Sequence, residues 1–280
     1  IWWGIGFDPY RQKTPDAKPN GMFARFIIGL KDAMLRRADA VMLYSDEGKR
    51  YAIRKGVDPE KIFVLHNSLH VEEMWRLEKL IRPEEIQSKR TEWGLSEKSC
   101  AFLFVGRLHP RKEVPFLIQS YATVADKLKD SKLIIVGDGE ERSESEALIA
   151  SLGLEKQVIM LGAIYDELEL AKVFMASDVV TLPGQVGLAV VHSFAYGKPV
   201  VTRVSDSYSP ELENLIDGQN GIRLASDEPA SYGKALEKIC LDKSFRGKLS
   251  QGAKEQVKEV TMQKMADGFR QAVLFTIRTV

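Results

Sequence analysis

The chain carries two hydrophobic rhythms. Short, almost continuous apolar runs recur at AFLFVG (101–106), KLIIVG (132–137), QVIMLG (157–162), DVVTLP (178–183), PVVTRV (199–204) and GIRLA (221–225). Each has the length of a strand. Between them, over 113–128, 142–152, 166–176, 187–197 and 208–216, apolar residues return at helical spacing. Strands that are apolar throughout and alternate with helices predict a parallel sheet covered on both faces, hence the α/β class. The first seventy residues repeat this on a smaller scale. A strand at 1–4 leads into a loop holding Pro9, Pro15 and Pro19, and a helix over 21–37 follows, with an apolar stripe of Phe23, Phe26, Ile27, Leu30 and Met34. Next come a strand at 39–44, a helix capped by Ser45 and closed at Gly56, and a strand at 61–65. Residues 71–97 are charged, helical in pattern and strandless, and read as a linker between a small domain (1–70) and a larger one (98–260). The tail is helical, with an apolar seam through Val257, Met262, Met265, Phe269 and Val273.

Composition narrows the function. The 280 residues suffice for two cores, and 44% hydrophobic with 28% charged residues is ordinary for a globular chain. Forty basic residues against 39 acidic ones give a net charge of +1, which argues against a chain-wide nucleic-acid binder. Cys100 and Cys240 stand alone in the sequence without metal-ligand spacing and suit buried thiols of a reducing, cytoplasmic compartment. No apolar run approaches the roughly 20 residues of a membrane span. Arg25, Lys31, Arg36 and Arg37 decorate the 21–37 helix; they suit a solvated face, or a peripheral contact with an anionic membrane. The opening IWWGIGF has no methionine and no leader pattern, and reads as the interior of a longer chain.

Candidate chemistry collects where strands end, the place at which parallel sheets bind ligands. Strand 101–106 closes at Gly106 and runs into Arg107, His109, Arg111 and Lys112. A guanidinium fork and an ammonium five residues apart suit a diphosphate, against the simpler reading of a solvated basic loop. Strand 132–137 ends in GDGEE, better explained by turn chemistry and a helix start than by a cation site. Gly162 leaves backbone exposed after its strand, where it can read the edge of a base. Strand 178–183 enters the turn Gly184, Gln185, Val186, Gly187, Leu188, and a helix carrying His192 opens there. A helix start behind such a turn offers N–H groups to an anion. After strand 199–204, Glu213 suits either ribose hydroxyls or a helix cap. There is no G-x-S-x-G, no H-E-x-x-H, no phosphate loop of the G-x-x-x-x-G-K-S/T type and no G-x-G-x-x-G opening a helix, which disfavours hydrolases, P-loop NTPases and dehydrogenases.

Five segments in order, VGRLHPRKE, IIVGDGEE, VIMLG, SDVVTLP and GQVGLAVVH, resemble the signatures of the family 4 glycosyltransferases, which have the GT-B fold. The resemblance implies two Rossmann-like domains: a partial acceptor-side domain (1–70), a complete donor domain (98–260) and a last helix (261–280) packing back on the first. It implies a hexose-type sugar carried on a nucleotide diphosphate, no metal, no further cofactor, and retention of configuration. Arg107 and Lys112 would bear the leaving diphosphate. Gly106, Gly162 and the turn Gly184–Leu188 would line the donor, with His192 and Glu213 toward the sugar, ribose or base. The acceptor would be a glycan, a lipid-linked molecule or a small molecule, reached at the inner face of the membrane if the 21–37 helix binds there. The chain departs from the pattern at three places. Gly184 and His192 occupy the positions of a glutamate pair, and Ile5 stands where related sequences have histidine. Two readings therefore remain at this point: a transferase, or a nucleotide-sugar- or partner-binding module of the same fold.

Overall fold

The computed structural model describes residues 1–7, 21–96, 99–204 and 209–279, so the loop of Pro9, Pro15 and Pro19 lies outside the described residues. The chain divides into two compact units, one from Ile1–Leu69, Asp206–Glu213 and Glu259–Val280, the other from His70–Ser205 and Asn214–Lys258.

The first unit is built from β1 (Trp2–Gly4), α1 (Met22–Arg37), β2 (Val41–Leu43), α2 (Asp46–Arg54) and β3 (Ile62–Val64). The strands are parallel in the order β1-β2-β3, with Val41 opposite both Trp2 and Ile62. Side chains alternate across a strand, so Val41 and Leu43 join Phe7, Leu35, Tyr51 and Ala52 in one cluster while Met42 joins another. The start of α2 follows its sequence: the Ser45 hydroxyl accepts the Gly48 N–H at 3.1 Å, and Gly56 takes a left-handed φ of 85° just past the helix.

On α1 the apolar stripe misleads. The residues that pack inward are Ile28, Asp32 and Leu35. Phe23, Phe26, Leu30 and Met34 lie on the surface, 74%, 67%, 52% and 58% exposed. Asp32 takes an inward position because the Tyr51 hydroxyl donates to it at 2.7 Å and the Lys55 ammonium stands 2.9 Å away.

The second unit begins with α3 (Val71–Leu80) and α4 (Pro83–Glu92). The expected linker is thus two helices of this unit, packed on the helix that follows β6. Arg90 explains their attachment: it donates to Ala176 O at 2.8 Å and Ser99 O at 2.9 Å, and pairs with Asp178 at 3.1 Å. The strands are β4 (Ala101–Val105), β5 (Lys132–Val136), β6 (Val158–Gly162), β7 (Val179–Leu182), β8 (Val200–Arg203) and β9 (Gly221–Leu224). They are parallel, in the order β6-β5-β4-β7-β8-β9. The helices are α5 (Val114–Ala122), α6 (Arg142–Ser151), α7 (Glu167–Ala176), α8 (Ala189–Ala195), α9 (Pro229–Leu241) and α10 (Lys243–Gln256). The chain moves outward from β4 to β6 and returns to place β7 beside β4, so the strand order reverses between those two. The stretch expected as a helix over 208–216 is a 3-10 turn, Pro210–Asn214, in its described part. The last helix, α11 (Met262–Thr279), belongs to the first unit, where Met265, Ala272 and Phe275 pack with Met42, Phe63 and Leu65.

His192 is used in packing α8 on α7. Its ring lies 4.3 Å from that of Phe174 and 5.6 Å from that of Tyr196, between centroids. Burial lowers its pKa to about 4, because a charged imidazolium would lose its hydration there. An unfolded histidine titrates near 6.5, so the unfolded chain takes up this proton first as pH falls. The stabilisation from neutral His192 is complete above pH 6.5 and is lost toward pH 4, about 3 kcal/mol in all. Urea unfolding followed between pH 7 and 4 is expected to show this loss, and His192→Phe to flatten it; an equally steep profile in the variant would assign the acid sensitivity elsewhere.

Candidate functional site

The carboxyl ends of β4, β5 and β6 enclose a cleft of 440 Å³, lined by Val105, Gly106 and Arg107 from the first, Val136, Gly137 and Asp138 from the second, and Ala163, Ile164 and Tyr165 from the third. Two strand exits approach each other closely there. Gly137 has φ +147°, and a Cβ on it would meet the Gly106 carbonyl oxygen at 1.9 Å, so only glycine allows the contact. The Gly137 N–H donates to Gly162 O at 2.8 Å, tying the end of β5 to that of β6. Gly106 and Arg107 therefore belong to the cleft, and Gly162 helps to shape it by holding a wall.

Beside the cleft, the turn after β7 sits directly on the loop after β4. Gly184 packs against the backbone of Arg111, where a Cβ would come within 2.2 Å of the carbonyl oxygen. The Gln185 N–H donates to that same oxygen at 2.8 Å. The Lys112 ammonium donates to Gln185 O at 2.5 Å and Val186 O at 3.4 Å. Its Cε lies 3.6 Å from the Cβ position of Gly106, and its Nζ 3.6 Å from that of Gly187. One cation thus joins the edge of the cleft to the glycine turn, five of whose residues were expected at the donor. Val186 is buried, and Leu188 is the residue before α8, its carbonyl accepting the His192 N–H at 3.0 Å.

The loop 107–112 carries concentrated positive charge. Arg107 is exposed and makes no ion pair among the described residues. His109 reports the field: its pKa is lowered, first by burial and then by Lys112, Arg107 and Arg111. Its Nδ1 accepts the Arg111 N–H at 3.2 Å and caps the short 3-10 turn Pro110–Lys112. Such a loop disfavours a further proton and favours an anion.

Two expected donor residues are employed elsewhere. The His192 ring is given to packing between α7 and α8. Glu213 lies in the first unit, accepting the Asp46 and Glu47 N–H groups at 2.8 and 2.6 Å and standing 3.6 Å from Arg50. Its carboxylate complements the free N–H groups and positive end of α2, a helix far away in sequence, rather than the start of its own element. Asp138, Ile164 and Tyr165 were missed. Tyr165 is 91% exposed at the mouth of the cleft, and its signal was available: an aromatic residue three positions after a strand-ending glycine and one before the helix cap Asp166.

Comparison with known proteins gives the family and the fold. Residues 85–256 match the family Glycosyl transferases group 1. A D-inositol 3-phosphate glycosyltransferase of Nocardioides sp. is 26% identical over 268 residues, covering 88% of this chain and 56% of the relative. An alpha-1,4-N-acetyl-D-galactosaminyltransferase of Campylobacter jejuni, named for a PP-undecaprenol-linked GalNAc glycan, is 31% identical over 170 residues, 58% of this chain and 45% of that one. The chain spans about half the length of these relatives. The crystal structure of Anabaena Alr3699/HepE in complex with UDP superposes with a TM-score of 0.74 at 20% identity, over 99% of this chain and 71% of that one. The fold is that of the GT-B glycosyltransferases, and the chain belongs to the group 1 glycosyl transferases.

Proposed function

We propose that this chain carries the donor side of a transferase that moves a hexose-type sugar from a nucleoside diphosphate to an acceptor, with retention and without a metal. The observation that carries the reading is the Lys112 ammonium, held on the glycine turn at the edge of a cleft that Arg107 borders. In this reading the base enters the 440 Å³ cleft, against the exposed strand-end backbone and the Tyr165 ring. The diphosphate then lies along Arg107 and Lys112. As the bond to the sugar breaks, charge grows on the departing diphosphate, and fixed cations stabilise it without reorganising. The UDP bound by HepE and the acceptors named for the relatives support a nucleotide-sugar donor and a glycan, lipid-linked or small-molecule acceptor. The alternative, a binding module without transfer, draws on Gly184, where the backbone of Arg111 leaves no room for a glutamate side chain.

Calorimetric titration of the chain with UDP, GDP, ADP and pyrophosphate tests the donor reading. One nucleoside diphosphate is expected to bind, with Arg107→Ala and Lys112→Ala each weakening it roughly 10-fold or more, as for charge-assisted hydrogen bonds. Tyr165→Ala is expected to weaken the nucleotide roughly 5- to 100-fold, the range of base stacking on an aromatic ring, and to leave pyrophosphate unchanged. Absence of binding by every diphosphate overturns the reading. Transfer to acceptor by the full-length protein separates the enzyme from the binding module.

We also propose that α1 rests on an anionic membrane at the cytoplasmic face. Met22, Phe23, Phe26, Leu30 and Met34 expose one apolar stripe, with exposed Arg25, Arg36 and Arg37 alongside. This combination suits an interfacial helix, and charge complementarity selects anionic lipid. Among the described residues no helix is long and apolar enough to cross a membrane. Co-sedimentation with phosphatidylglycerol vesicles, absent with phosphatidylcholine and abolished by Phe26→Glu with Leu30→Glu, is expected; equal binding of wild type and double variant rules the contact out.

A further inference from the structure

Cys100 and Cys240, isolated in the sequence, meet in the fold. Cys100 immediately precedes β4 and is buried, while Cys240 lies near the end of α9 and is partly exposed. The two thiols are close enough for each to shift the titration of the other. Ser131, just before β5, holds both: its hydroxyl accepts the Cys100 N–H at 3.4 Å and stands 3.5 Å from the Cys240 sulfur. Arg246 of α10 donates to the carbonyls of Ile239 and Cys240 at 2.9 and 2.7 Å, pinning the end of α9 over the pair. Neither thiol has a role in the cleft, which opens at the other ends of the strands.

We infer that Cys100 and Cys240 are a reversible disulfide site, oxidised by a small peroxide, that staples α9 to the head of β4. The two thiols divide the roles by position. Cys240 is the one a small oxidant can reach, and buried Cys100 is placed to resolve it. Their titration agrees: the neighbouring Cys100 thiol, then the hydrogen bond with Ser131, lowers the Cys240 thiol to about 7, whereas the neighbouring Cys240 thiol and burial raise Cys100. In the first step the Cys240 thiolate attacks hydrogen peroxide; the O–O bond breaks, one oxygen stays on sulfur as a sulfenic acid, and the other leaves as hydroxide and becomes water. In the second step the Cys100 sulfur attacks the sulfenic sulfur, the S–S bond forms, and the hydroxyl leaves as a second water with the Cys100 proton. Two electrons pass from the thiol pair to the peroxide. The closed loop runs from the first strand of the large sheet to the end of α9 and takes in all six strands, so it constrains the unfolded chain of nearly the whole second unit.

The test treats the chain with stoichiometric hydrogen peroxide, then alkylates it in denaturant and measures its mass. Expected is a monomer that has lost two hydrogens, with neither cysteine alkylated, reverting to two alkylated cysteines after dithiothreitol. Its melting temperature is expected to rise by about 5–15 °C, the range for a disulfide in a domain of this size. In Cys100→Ser, dimedone is expected to trap Cys240 as the sulfenic acid; Cys240→Ser is expected to leave Cys100 unmodified. Full alkylation of both cysteines after peroxide overturns the inference. So does a wild-type product with Cys240 as sulfinic acid or in an intermolecular disulfide while Cys100 remains a thiol. The wild-type mass decides the matter even where a variant fails to fold.

Discussion

The place of Lys112 beside the cleft depends on the contact between the turn at Gly184 and the backbone of Arg111. β4 and β7 are neighbours at the point where the strand order reverses, and the loops leaving them must share the same space above the sheet. They share it by backbone contact. Gly184 comes against the Arg111 carbonyl with no space for a Cβ, and the Gln185 N–H closes a hydrogen bond on that oxygen. Lys112, one residue on, then has the carbonyls of Gln185 and Val186 within reach. A basic residue on a surface loop ordinarily samples many rotamers, and holding it still has an entropic cost. Here the docked turn supplies acceptors at the place where the ammonium lies.

This way of fixing a cation has an electrostatic consequence. The carbonyl dipoles of Gln185 and Val186 orient the Lys112 ammonium toward the glycine turn and the edge of the cleft. Arg107 adds a second positive charge without an ion pair among the described residues. The pKa of His109 is lowered by burial first and then by Lys112, Arg107 and Arg111, so the loop disfavours a further positive charge. The glycine at 184 permits the contact that positions Lys112.

The large sheet was legible because its strands are buried on both faces and so read as continuous apolar runs; each observed strand falls within its expected run. The cation pair and the glycine turn were legible because backbone turns of this kind restrict the residue types they accept. The inward face of α1 was not legible for a definite reason. Periodicity identifies an apolar face but not its partner, and Asp32, which the pattern scores as polar, is carried inward by Tyr51 and Lys55. Residues 71–97 lacked strands and looked like a connector, since nothing local reveals that Arg90 reaches Asp178 across 88 positions. Glu213 and the cysteine pair failed for the same cause. Their partners are distant in sequence, and one chain without its fold does not bring Asp46 to Glu213 or Cys240 to Cys100.

The two ends of the large sheet treat polar groups in opposite ways, and this separates stability from binding. At the strand starts, charges are enclosed and answered: Arg90 serves two carbonyls and Asp178, and the Lys198 ammonium, its pKa pushed down to about 8 by burial, donates to the carbonyls of Met175 and Ser177 at 3.2 and 2.7 Å. Removing one partner there would strand another in a low dielectric, so these groups favour a single packing. At the strand ends the balance is left open. Glycine backbone, Arg107 and the Tyr165 ring face a cleft, and the field of the loop is positive. The groups that the strand starts satisfy internally are thus left open at the strand ends, so the loops there can change while the sheet beneath keeps its register.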